Sequence, residues 1–78
     1  MNTLDRLQDI FREIFDDENL ILTLETSPID IDDWDSLAQI NVIVSCESEF
    51  NIKMDIQDIA SINNVGDLVN IIERLSGG

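Results

Sequence analysis

The stretch D-W-D-S-L-A-Q-I-N-V-I-V-S-C-E-S-E-F, residues 33–50, decides how the chain is read. Leu37, Ile40, Ile43, Val44, Glu47 and Phe50 recur at the helical period, and Val42 and Cys46 widen the stripe. The spacing predicts a helix from Ser36 to Phe50, roughly 22 Å long. Asp35 is a good N-cap, and Ser36 with Gln39 forms the S-x-x-Q pattern of a capping box. The positions left for the outer face are bland: Ala38, Gln39, Asn41, Ser45 and Ser48 carry no charge. Glu47 and Glu49 are expected to face solvent, with Glu47 at the edge of the apolar stripe.

Working outward, Leu4, Leu7, Ile10, Phe11, Ile14 and Phe15 trace one face of a first helix. Asn2 or Thr3 caps it, and the acids Asp16-Asp17-Glu18 end it near Phe15 or Asp16. A short helical piece is expected from Ile56 to Ser61. A last helix carries Leu68, Ile71, Ile72 and Leu75, with Asn63 or Asn64 as its cap, Arg74 in its last turn and Gly77-Gly78 at its end. Residues 17–35 read as a long ordered loop turned at Thr26-Ser27-Pro28, and loops of this length are more often functional than not. Leu20, Ile21, Leu22, Leu24, Ile29 and Ile31 would anchor it, with a short strand at Leu20–Leu24 as the alternative. The fold class is therefore all-α: a small antiparallel four-helix bundle, three main helices plus one short helix, with a long loop between the first and second. Residues 1–78 are expected to form a single domain.

Composition narrows the function. The chain has 78 residues, 17 acidic against 4 basic, and a formal charge of −13. A phosphate backbone needs a Lys/Arg footprint that four scattered cations do not make, so nucleic acid is excluded as a partner. The longest apolar runs, Leu20-Ile21-Leu22 and Val42-Ile43-Val44, are too short for membrane insertion. The absence of histidine removes Ser-His-Asp and Cys-His chemistry. A single cysteine, Cys46, allows no internal disulfide, and together with the lack of a signal segment it points to a reducing cytoplasm. Hydrophobic residues at 44% argue for a folded domain rather than a solvated tail.

The residues that could carry chemistry are Asp35-Ser36-Leu37, entered from Trp34, where an acidic loop meets a helix start. Read on its own, Ser36 is a routine capping serine worth about 1 kcal/mol. The tripeptide stands at the head of an amphipathic helix, with Glu47 and Phe50 later on it. Asn51-Ile52-Lys53-Met54, a short helix and a final helix from Val65 to Leu75 follow. In that context the chain, over about residues 3 to 76, resembles the acyl carrier proteins. The resemblance implies that Ser36, flanked by the motif residues Asp35 and Leu37, is esterified with 4′-phosphopantetheine. A separate magnesium-dependent phosphopantetheinyl transferase would take that group from coenzyme A. The arm's thiol would then carry an acyl group as a thioester, and the chain would be no enzyme itself. A phosphodiester at a helix N-terminus is compatible with the dipole there, although Asp33 and Asp35 oppose it.

Other features weigh less. Asp30, Asp32, Asp33 and Asp35 crowd into six residues, but from Asp30 the fifth, sixth and twelfth EF-hand positions hold Trp34, Asp35 and Asn41, so that pattern fails. No metal ligand set is assigned, though a loose divalent site stays open. Trp34 is either a partner anchor beside the attachment point or a core residue. Carriers of general fatty-acid synthesis place acids soon after the motif serine, whereas Ala38, Gln39 and Asn41 here are neutral and the acids precede Ser36. The chain thus resembles carriers of specialised lipid or secondary metabolism, with an aminoacyl (D-alanyl) or peptidyl carrier as the alternative. Its expected partners are the transferase, an acyl- or aminoacyl-loading ligase and acyl transferases or synthases with basic docking patches. These would bind a monomeric carrier through Asp30, Asp32, Asp33, Trp34, Glu47 and Glu49. The competing class is an unmodified acidic interaction module.

Overall fold

The helices begin where polar side chains meet free backbone donors. In a computed structural model describing residues 2–77, Asn2, Asp35, Asp55 and Asn64 each accept a hydrogen bond from the N–H three residues on. These caps open α1 (Thr3–Ile14), α2 (Ser36–Phe50), α3 (Ile56–Ala60) and α4 (Val65–Ser76). Left-handed residues close two of them: Asn51 (φ 54°) ends α2 and Gly77 (φ 77°) ends α4. α1 stops at Ile14 with Phe15 as its cap, and Asp16 turns left-handed at φ 50°. The S-x-x-Q capping box does not form: Asp35 is the cap, and the Gln39 side chain accepts from Trp34 instead.

The described residues contain four helices and no strand, so the expected all-α four-helix bundle with a long first connection is what the chain forms. α1, α2 and α4 pack on one another. Leu7 and Phe11 come from α1, and Val42, Ile43 and Cys46 from α2. α4 contributes Val65, Leu68, Val69, Ile71 and Ile72. α3 buries no residue fully, and rests on the core through Ile59.

The long loop is tied down by hydrogen bonds as much as by apolar anchors. Val65 N–H donates to Thr26 O and Gly66 N–H to Leu24 O, both at 2.8 Å, so the first turn of α4 is pinned to the loop. Arg12 Nε donates to Leu20 O, and Leu22 N–H donates to Gln8 Oε1. A Cβ on Gly66 would sit 2.9 Å from Leu24 O, so this helical glycine is required by a close backbone approach. Leu22 and Ile31 are buried as expected, but Ile21, Leu24 and Ile29 are exposed. Residues 20–24 are turn and irregular backbone rather than a strand, because their polar backbone groups bond to α1 side chains and to α4.

The apolar stripe of α2 also divides differently from its spacing. Val42, Ile43 and Cys46 face the core, whereas Leu37, Ile40 and Val44 are 69, 59 and 58% exposed. The helix is apolar on nearly every side, so its period marks a helix without choosing its inner face.

Candidate functional site

The end of the loop and the first turn of α2 build one concave surface. Trp34 N–H closes a turn on Ile31 O at 3.0 Å, and the indole drops into the core, 6% exposed. There it meets Phe11 edge to face, with ring centroids 5.1 Å apart at 88°. Of the two roles the sequence left open for Trp34, partner anchor or core residue, burial against Phe11 favours the core, with its rim on the groove described below.

Burying Trp34 swings the next residues outward. Asp35, extended at φ −102°, caps α2 by accepting from Ala38 N–H at 2.9 Å. Ser36 is the first helical residue and is exposed, as is Leu37. Among the described residues, the N–H groups of Ser36 and Leu37 have no protein acceptor. The Ser36 hydroxyl therefore stands in solvent beside free backbone donors at the positive end of α2. Beside it runs an open groove of about 530 Å³, lined by Pro28, Trp34, Asp35, Ser36, Gln39, Ile40, Ile59 and Ile62. A narrower apolar cleft of about 260 Å³ shares Gln39, Ile40 and Ile59 with it and continues toward Met54.

The acidic residues separate into two groups. Asp30 closes a local turn, accepting from Ser27 N–H at 3.0 Å, while Asp32 and Asp33 are exposed. These three and Asp35 immediately precede Ser36 in the chain, and Asp35 shares the groove lining with it. Glu47 and Glu49 lie at the opposite end of α2 and are engaged within the chain. Glu47 accepts from Met54 N–H at 2.9 Å, and Glu49 pairs with Arg6 at 2.8 Å. Glu47 also lines the narrower cleft, beside Val44, whereas Glu49 lies away from it on the α1 side. Among the described residues no three acidic or cysteine side chains converge in a way that could hold a metal ion.

Cys46 is fully buried in the core, and burial pushes its thiol up to about 12, with the charges of Glu47 and Glu49 adding to the shift. It has no base beside it and no access to the groove's lining. Sequence reasoning missed the apolar contributions of Pro28, Ile40, Ile59 and Ile62 to the groove. For Ile40 the run of uncharged residues after Ser36 was the available signal, while Pro28, Ile59 and Ile62 come from other segments and carried none.

Comparison with known proteins adds three findings. The family described as phosphopantetheine attachment site matches residues 5–72. The meromycolate extension acyl carrier proteins of Mycobacterium leprae and Mycolicibacterium aurum are 32 and 33% identical over 69 residues, 88% of this chain. The chain spans 60% of the M. leprae protein's length and 71% of the M. aurum protein's. The solution structure of a holo acyl carrier protein from Geobacter metallireducens superposes with a TM-score of 0.92 at 45% identity, covering 99% of this chain and 88% of that one.

Proposed function

Because the chain belongs to the phosphopantetheine attachment site family, we propose that it is an acyl carrier whose Ser36 bears the 4′-phosphopantetheine arm. The observation that carries the reading is the placement of Ser36. Its hydroxyl is exposed, opens α2 within Asp35-Ser36-Leu37, and borders a groove with apolar walls. The residues fit the group: the free N–H donors of Ser36 and Leu37 suit a phosphodiester, and the groove offers a half-apolar bed for a slender chain.

Ser36 supplies only the hydroxyl. Its Oγ–P bond forms as the pyrophosphate bond of coenzyme A breaks, 3′,5′-ADP leaves, and the serine proton is taken up outside this chain. One oxygen of the adjacent Asp35 carboxylate is held by Ala38 N–H as the helix cap, and the chain has no histidine. In this reading the base is supplied by the transferase or its solvent. Once attached, the arm's terminal thiol supplies thioester chemistry, and this chain's residues hold and present it.

The partners of this reading are a phosphopantetheinyl transferase and acyl-handling enzymes. They approach over Leu37, Ile40 and Val44, an apolar stripe beside Ser36, with Asp32, Asp33 and Asp35 as an acidic margin. A partner with a small apolar patch bordered by Lys or Arg complements this surface. A formal charge of −13 opposes self-association, so the carrier acts as a monomer, and its single cysteine suits a reducing cytoplasm. Similarity to meromycolate extension carriers and the neutral start of α2 favour a specialised lipid pathway.

The test is the intact mass after incubation with coenzyme A, magnesium and a broad-specificity phosphopantetheinyl transferase, with Ser36→Ala alongside. Gain of one phosphopantetheine by the wild type and none by the variant is the expected result. A folded wild type that gains nothing from this enzyme or from a transferase of its own host would leave an acidic interaction module as the better reading.

A further inference from the structure

The groove beside Ser36 contains one polar side chain whose orientation is forced by its neighbour. The Trp34 indole N–H can only donate, and it lies 2.6 Å from Gln39 Oε1. The Gln39 amide is therefore fixed with its carbonyl on the indole and its NH₂ on the other side. Among the described residues that NH₂ has no protein acceptor. Gln39 is half-buried, follows Ser36 by one helical turn on the same side of α2, and borders both the groove and the narrower cleft beyond it. Of the other groove residues, Pro28, Ile40, Ile59 and Ile62 offer no side-chain donor, the Trp34 donor is already used, and Asp35 only accepts.

We propose that Gln39, locked in place by Trp34, is the residue that orients the phosphopantetheine arm, by donating its side-chain N–H to an amide carbonyl of the arm. The proposal rests on the carrier reading above. Pantetheine carries two amide groups, and an amide carbonyl laid in a half-apolar groove loses water on one side and needs a donor in exchange. Gln39 supplies that donor without a rotamer search, since Trp34 already holds its amide plane, and Trp34 is itself held by Phe11. A Gln that served only to satisfy the buried indole would make the same bond to Trp34 and no contact with the arm. The two roles therefore separate experimentally.

The experiment loads wild type, Gln39→Glu and Gln39→Met with coenzyme A, magnesium and the transferase, and verifies each by intact mass. Amide and side-chain ¹⁵N spectra then follow two signals: the Nε1–H of Trp34, the only indole in the chain, and the Gln39 NH₂ pair. In loaded wild type the Gln39 NH₂ protons should show nuclear Overhauser contacts to arm protons, with the indole hydrogen bond retained. Gln39→Glu keeps the acceptor for Trp34 but lacks the donor. An oriented arm in wild type should also show contacts to Ile59 and Ile62 of the groove, and Gln39→Glu should hold the indole signal and lose these, including at high salt, where its charge is screened from the phosphodiester. Gln39→Met should lose both. Loaded wild type with no arm contact at Gln39, or loaded Gln39→Glu with undiminished arm contacts, overturns the proposal alone. Failure of folded wild type to load, with this enzyme and with a transferase of its own host, overturns the carrier reading and this inference with it.

Discussion

α4 and α2 are both rich in aliphatic residues, yet they use them in opposite ways. In α4, Val65, Leu68, Val69, Ile71 and Ile72 all go into the core, and the outer face carries Asn70, Glu73 and Arg74. In α2, Val42, Ile43 and Cys46 go inward while Leu37, Ile40 and Val44 remain in solvent. Burying apolar area stabilises the fold by roughly 25 cal/mol per Å², so an aliphatic side chain left exposed contributes little to stability. α4 is thus a structural helix, and α2 serves the core on one side and leaves aliphatic side chains open to solvent on the other. The exposed half of α2 also begins at the residue that would carry the arm.

Truncation is the largest lever on this contrast. Leu68→Ala should lose about 2–5 kcal/mol, a large part of the total stability of so small a domain. Ile40→Ala should change the urea midpoint by less than about 0.5 kcal/mol while slowing loading by the transferase. Equal destabilisation by the two variants would show that the outer face of α2 is packed in solution.

High pH probes the inner face of α2 through Cys46. Its pKa is raised in the folded chain from 9.0 to about 12, so the unfolded chain loses this proton first. The stability contributed by the neutral buried thiol is complete below pH 9 and is lost as pH rises toward 12, at about 1.4 kcal/mol per unit. Urea melts between neutral pH and pH 10.5 should show this fall in wild type and a shallower one in Cys46→Ala. Identical slopes would mean that the thiol is accessible to water.

Smaller effects are expected at the ties that hold the loop. Gly→Ala inside a helix ordinarily stabilises by up to about 1 kcal/mol. Gly66→Ala should instead destabilise by about 1–2 kcal/mol, because the new methyl group displaces Leu24 O from its hydrogen bond. A raised melting temperature would show that the loop yields there freely. The smallest effect belongs to the acidic margin. Asp32→Lys with Asp33→Lys should leave the fold intact and slow loading several-fold at low salt, with the difference fading as salt is added. No rate loss at low salt would confine docking to the apolar stripe.

The local signals in this chain were legible because they are short-range. Asn2, Asp35 and Asn64 cap helices as their residue types dictate, and Gly77 ends α4 in the left-handed conformation. The boundaries of α2 and the exposed serine opening it followed from the same chemistry. Charge and the missing histidine excluded whole classes of function without any coordinates.

What the sequence could not settle was which of several equivalent options the packing would take. α2 has apolar residues almost all round, so only its seat against α1 and α4 chose Val42, Ile43 and Cys46 over Leu37, Ile40 and Val44. Trp34 suited a surface anchor or a core residue equally well until Phe11 received it and Gln39 accepted its N–H. Glu47 and Glu49 looked free until Met54 and Arg6 met them. Caps and helix periods are set by residues three or four apart, and a sequence prints them directly. The identity of a buried face depends on partners tens of residues away, and only the folded chain brings those together.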